Sequence, residues 1–120
     1  MITEDLINLV WNKATTVAGY DPASIRKDAC GAWILRNQYA NRESIYGWEV
    51  DHVYPKALGG DDSLDNLRAM QWENNESKGS DFPHYTAKVQ SDGANNVYQE
   101  VQYTVNADLA ERLKARYHLA

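Results

Sequence analysis

Apolar positions at helical spacing open the chain. Leu6, Leu9, Val10 and Ala14 recur on one face, and the spacing predicts a helix from Thr3 to about Val17. Thr3 is placed to cap it, with Glu4 and Asp5 in the first turn where the helix dipole favours acids. Gly19 ends the helix and Asp21-Pro22 marks a turn. Cys30 to Leu35 then reads as a strand, Asn37 to Gly47 as a polar loop, and Trp48 to Val53 as a second strand that Pro55 stops. Gly59-Gly60-Asp61-Asp62 is a turn cluster. Leu67 to Gln71 returns as a strand, and Trp72 to Lys78 suits a short helix closed by Gly79. Two alternating runs follow, one through Tyr85, Ala87 and Val89, the other through Val97, Val101, Tyr103 and Val105. Ser91 to Asn96 supplies the hairpin turn between them. A closing helix starts at an Asn106 cap and puts Leu109, Leu113 and Tyr117 on one face. The expected class is α+β, in one domain spanning residues 1–120.

Composition narrows the setting. The chain is 43% hydrophobic and 24% charged, ordinary values for a soluble globular protein. Its acidic N-terminus lacks the positive region of a signal peptide, and no apolar run approaches the ~20 residues of a membrane span. A cytoplasmic, intracellular protein with no membrane partner is expected. Cys30 is the single cysteine, so an internal disulfide and a Cys-rich zinc knuckle are both excluded; it reads as a small buried strand residue. The net charge of −5 argues against a strong non-specific nucleic-acid binder. It is compatible with an enzyme acting on nucleic acid, since local patches and a bound cation reshape the field that the substrate meets.

The chemistry concentrates between Gly47 and Gly79. Asp51 offers a carboxylate and Asn75 an amide oxygen, both of which suit a hard cation that activates a phosphodiester. If the second strand and the short helix pack together, the two could converge on one ion. His52 is the natural acceptor for a water proton near neutral pH. Adjacent strand residues point to opposite faces, so Asp51 and His52 can share a site only at an irregular strand end or with substrate between them. Asn66 could hydrogen-bond across the loop and fix the strand carrying His52.

The run GWEVDHVYPKALGGDDSLDNLRAMQWENNESKG resembles the HNH endonuclease family, whose fold is the ββα-metal (His-Me) finger. The matching positions are Asp51-His52, Val53-Tyr54-Pro55, Gly59-Gly60, Asn66-Leu67, and Asn75 with Lys78. Upstream, Val10-Trp11, Asp21-Pro22, Arg26 to Gly31 and Tyr46-Gly47-Trp48 are similar to a small bacterial subgroup of the family. The chain after Asp81 carries no such likeness. The resemblance implies a metal-dependent DNA endonuclease that leaves 5′-phosphate and 3′-hydroxyl ends. His52 is the implied general base, Asp51 and Asn75 the implied metal ligands, and Asn66 the loop clamp. Lys78, with Arg68, is the expected contact to the substrate backbone. Many members carry two Cys pairs that hold a structural zinc. Here Gln71 and Asn74 stand near the third motif position, so no structural zinc is expected. An amide at Asn75 favours a hard cation, Mg²⁺ with Mn²⁺ as substitute. The alternative is a catalytically inactive HNH-fold module that binds nucleic acid or protein.

Other residues have plainer readings. His84 and His118 read as surface or capping histidines, and Trp11, Trp33, Trp48 and Trp72 as core. Arg26-Lys27 and Arg36 fit either a phosphate-binding edge or a solvated face. Asp61, Asp62 and Asp65 lack calcium-loop spacing and read as turn residues.

Overall fold

The computed structural model describes residues 1–119. Helix α1 runs Glu4–Trp11, with the Thr3 hydroxyl accepting from the Leu6 N–H at 3.2 Å. It stops short of the expected end at Val17. Lys13 and Ala14 tighten into a turn on Val10 and Trp11, and Thr15 exchanges two backbone bonds with Lys27. The β-branched run Thr15-Thr16-Val17 favours that extended path.

Strand β1, Ile25–Lys27, is one that periodicity did not reveal; it pairs antiparallel with β2, Trp33–Leu35. The expected strand from Cys30 is thus halved. Cys30 and Gly31 form the connecting turn, with Gly31 at φ +81, and the Asp28 carboxylate accepts from the Cys30 and Ala32 N–H groups at 2.9 Å each.

Strands β3, Trp48–His52, and β4, Leu67–Gln71, form an antiparallel pair that leads directly into α2, Trp72–Lys78. Strands β5, His84–Asp92, and β6, Asn95–Thr104, form the long hairpin. Helix α3, Ala107–Arg116, follows an Asn106 cap whose side chain accepts from Asp108 and Leu109. Three two-stranded antiparallel sheets and three α-helices among the described residues give a mixed α+β architecture. None of these helices is long and apolar enough to cross a membrane.

Strand β4 lies between two apolar cores because its side chains alternate. Leu67 and Ala69 face α1 with Val10, Trp11, Ile34 and Trp48. Met70 faces the hairpin and α3 with Cys30, Tyr85, Ala87 and Leu113. Leu113 is fully buried, worth about 2 kcal/mol relative to exposure. Trp11, Trp33 and Trp48 are core residues. Trp72 is half-buried under the Arg42 guanidinium, with its indole N–H on the Ser44 carbonyl at 2.8 Å. Cys30 is buried, though in a turn rather than a strand, and desolvation with help from Asp28 pushes its thiol up to about 12. His84 begins β5 and meets the Thr104 hydroxyl at 2.9 Å, while His118 is exposed beyond α3.

A buried polar hub ties these layers together. The second Asp28 oxygen accepts from the Gln71 N–H at 2.9 Å and from Asn74 Nδ2 at 3.2 Å. Gln71 Oε1 caps α2 on Glu73 and Asn74. Asn74 Oδ1 accepts the Lys88 and Val89 N–H groups, 2.8 Å each, at the bulge of β5. Burial raises the Asp28 carboxyl while its four N–H donors pull it back down. Asn74 therefore joins α2 to the hairpin by hydrogen bonds, while Gln71 caps the helix and ties it to Asp28.

Candidate active site

The site forms where β3 ends against the start of a loop spanning residues 53–66. The β3–β4 ladder closes at His52 opposite Leu67. The chain then turns through Pro55 and a short 3₁₀ turn, Lys56–Leu58. Asn66 is fully buried and clamps this loop. Its Oδ1 accepts from the Tyr54 N–H at 2.7 Å, and its Nδ2 donates to the Tyr54 and Asp61 carbonyls at 3.1 Å each. Gly60 lies so close that an added Cβ would stand 1.9 Å from the Tyr54 carbonyl oxygen. Neighbouring Gly59 takes φ +111, a conformation L side chains rarely adopt.

His52 and Asp51 reach one cleft because the strand ends there. The cleft is open, holds about 220 Å³, and is lined by Asp51, His52, Pro55, Lys56 and Asn75 among others. A wider hollow of about 550 Å³ beside Ser24, Leu35 and Asn37 contains neither carboxylate nor imidazole.

His52 Nε2 lies 2.7 Å from Asp62 Oδ1. A carboxylate there assigns the proton to Nε2 and leaves Nδ1 of the neutral ring as an acceptor. The Met1 amino group and then His52 hold the Asp62 carboxyl down at about 2. Asp62 is a site residue that sequence reasoning passed over as a turn aspartate. Its signal was its place in the loop that Asn66 closes back onto β3.

Asp51 is 3% exposed and both its oxygens are engaged. Arg68 Nε donates to Oδ2 at 2.9 Å, and Lys78 Nζ lies 3.3 Å from Oδ1. Lys78 Nζ also donates to the His52 carbonyl at 3.1 Å. Lys78 and Arg68, expected at the substrate backbone, are placed inside the fold. Lys78 is 1% exposed, neither side chain lines the cleft, and both instead clamp Asp51. Burial lowers the Lys78 ammonium while Asp51 opposes that shift. Burial also acts downward on Arg68, but Asp51 and Tyr85 outweigh it and its guanidinium is raised. The cation that lines the cleft is Lys56, exposed and without a hydrogen-bond or ion-pair partner among the described residues. Sequence reasoning missed it too; its signal was a lysine directly after Pro55.

Asn75 donates through Nδ2 to Glu49 at 3.1 Å. Its Oδ1 has no protein donor among the described residues and lies on a side chain that lines the cleft. No group of three or more His, Cys, Asp or Glu side chains is gathered to hold a metal among those residues. A cation here would rest on one carboxylate and one amide oxygen, completed by water and substrate oxygens. That donor set fits a hard divalent ion, although two paired cations stand against it.

Residues 30–84 match the family model described as HNH endonuclease. No curated protein and no solved structure matches the chain.

Proposed function

We propose, from the match of residues 30–84 to the HNH endonuclease family model, that this protein is a metal-dependent nuclease hydrolysing phosphodiester bonds in DNA. In this reading β3, β4 and α2 are the ββα-metal finger, and residues 1–120 act as one unit around it. The observation that carries the reading is the His52–Asp62 contact, with His52 lining a cleft together with Asp51 and Asn75.

His52 Nδ1 accepts a proton from a water molecule that attacks phosphorus in line with the leaving 3′ oxygen. Asp62 holds the Nε2–H and stabilises the imidazolium that forms. Asn66 keeps the loop closed so that Asp62 faces His52. Asp51 and Asn75 would hold the divalent cation, Mg²⁺ with Mn²⁺ as substitute, which when bound supplies positive charge to the phosphate and the leaving oxygen. Lys56 meets a neighbouring phosphate at the cleft mouth. The products are 5′-phosphate and 3′-hydroxyl ends.

His52→Ala is expected to abolish Mg²⁺-dependent nicking of plasmid DNA, with an unchanged far-ultraviolet circular dichroism spectrum. A variant that nicks as fast as the parent removes His52 as the base. One observation favours a second reading, an inactive binding module: both oxygens of Asp51 are already taken by Arg68 and Lys78. A panel of DNA and RNA substrates with Mg²⁺, Mn²⁺ and Zn²⁺ separates the two, since binding without cleavage of any substrate supports the module.

A further inference from the structure

The charge around Asp51 is unusual for a cation site. One carboxylate faces a guanidinium and an ammonium, so the cluster is net positive by one unit. Both cations are anchored. Lys78 is held by the His52 carbonyl, and Arg68 is 14% exposed with Nη2 buried and unpartnered. Other acids nearby do not offset the surplus. Glu49 is engaged by Arg42 at 2.8 Å and by Asn75, Asp62 by His52 and the Met1 amino group, and Asp81 is exposed to solvent screening. A divalent ion entering alone meets two like charges at its own ligand, in a pocket where repulsion is stronger than in water. A phosphodiester entering alone meets Lys56 at the cleft but lacks the charge that would bridge it to Asp51. Together the two ligands satisfy each other.

We propose that the divalent cation and the phosphodiester occupy this site as a pair, because Arg68 and Lys78 over-neutralise Asp51 and disfavour the cation until phosphate is present. This rests on the reading of Asp51 and Asn75 as the cation's ligands. Linkage requires reciprocity: DNA tightens the ion by the same factor by which the ion tightens DNA.

The test uses the His52→Ala chain, which keeps both ligands and leaves DNA intact. Free Mn²⁺ is followed by electron paramagnetic resonance at constant ionic strength, with and without a short DNA duplex, and the duplex's own Mn²⁺ binding is subtracted. Duplex affinity is measured separately with and without Mn²⁺. The expected result is Mn²⁺ binding at least about tenfold tighter with duplex and a matching gain in duplex affinity. Adding Lys78→Met should strengthen Mn²⁺ binding in the absence of DNA and shrink the coupling. Lys88→Met, at an exposed lysine away from the cleft, should do neither. Equal Mn²⁺ affinity with and without duplex overturns the pairing and leaves the nuclease reading standing. No Mn²⁺ bound in either condition overturns both. Should Lys78→Met fail to fold, the coupling measured with Lys78 intact decides alone.

Discussion

At the scale of single residues, the site depends on what holds each reactive atom. His52 carries no chemical instruction about which nitrogen takes a proton; the Asp62 oxygen 2.7 Å from Nε2 supplies it. Asp62→Ala should therefore lower kcat for plasmid nicking by roughly 10- to 100-fold, less than the roughly 100- to 10,000-fold that the general base itself usually contributes, with KM little changed. Asp62→Asn should retain more activity than the alanine variant, because its amide oxygen still accepts the Nε2–H. Equal kcat in all three proteins would mean that Asp62 does not orient the base. Asp51 shows the opposite case: its type and position were legible in the sequence, but its partners were not. Arg68 and Lys78 are long cations that composition alone assigns to solvent or phosphate. Their burial follows from the register Asp51↔Arg68 across β3–β4 and from α2 packing back on that pair, neither of which a linear pattern encodes.

At the scale of elements, the loop spanning 53–66 is the vulnerable piece. Asn66 makes three hydrogen bonds inside it. Asn66→Ala removes all three and leaves the buried Tyr54 N–H without its partner. With about 1 kcal/mol for each bond and a similar penalty for the orphaned donor, the expected destabilisation is about 4 kcal/mol. Urea denaturation should show it as a lower midpoint at unchanged slope; a midpoint equal to the parent's would deny Asn66 its clamping role. Strand β4 and helix α2 have the bounds the sequence predicts, because an apolar strand runs straight into a helix that Gly79 stops. Strand β1 was illegible, since Ile25-Arg26-Lys27 offers one apolar side chain and becomes a strand only through β2 and Thr15. The Asp28–Gln71–Asn74 hub was equally hidden. Asp28 lies 43 residues before Gln71 in the chain, and what selects it is the set of backbone donors that the fold brings around one carboxylate.

At the scale of the whole molecule, the acidic surplus is spent partly on docking α3. This helix lies beyond the segment matched to the family, yet it straps the site loop. Arg116 pairs with Asp61 at 2.9 Å, Arg112 with Asp65 at 3.0 Å, and the Tyr117 ring stacks on Tyr54 with its hydroxyl donating to Asp61. Arg116 and then Tyr117 hold the Asp61 carboxyl below its ordinary range, and Arg112 does the same for Asp65. Lowered carboxyls contribute stability that is present above the unfolded value, about 4, and lost as pH falls through the folded values. Acidification below about pH 4 should thus loosen α3 from the loop. Amide exchange of α3 is expected to accelerate there in the parent, with the acid step diminished when Arg112 and Arg116 are both replaced by alanine. These pairs are exposed, so added salt should weaken the same step. An α3 that keeps equal protection across that range would show that apolar packing alone holds it.

The burial of Cys30 has a consequence for following all of this in solution. It is the one thiol of the chain, it sits between β4 and the hairpin at 2% exposure, and its proton is held up to about 12. A thiol reagent then finds nothing to attack until the two layers part. The rate of labelling becomes a clock for opening of the core. That clock should run faster when Asn66 is replaced by alanine and keep its pace when exposed Lys88 is replaced by methionine.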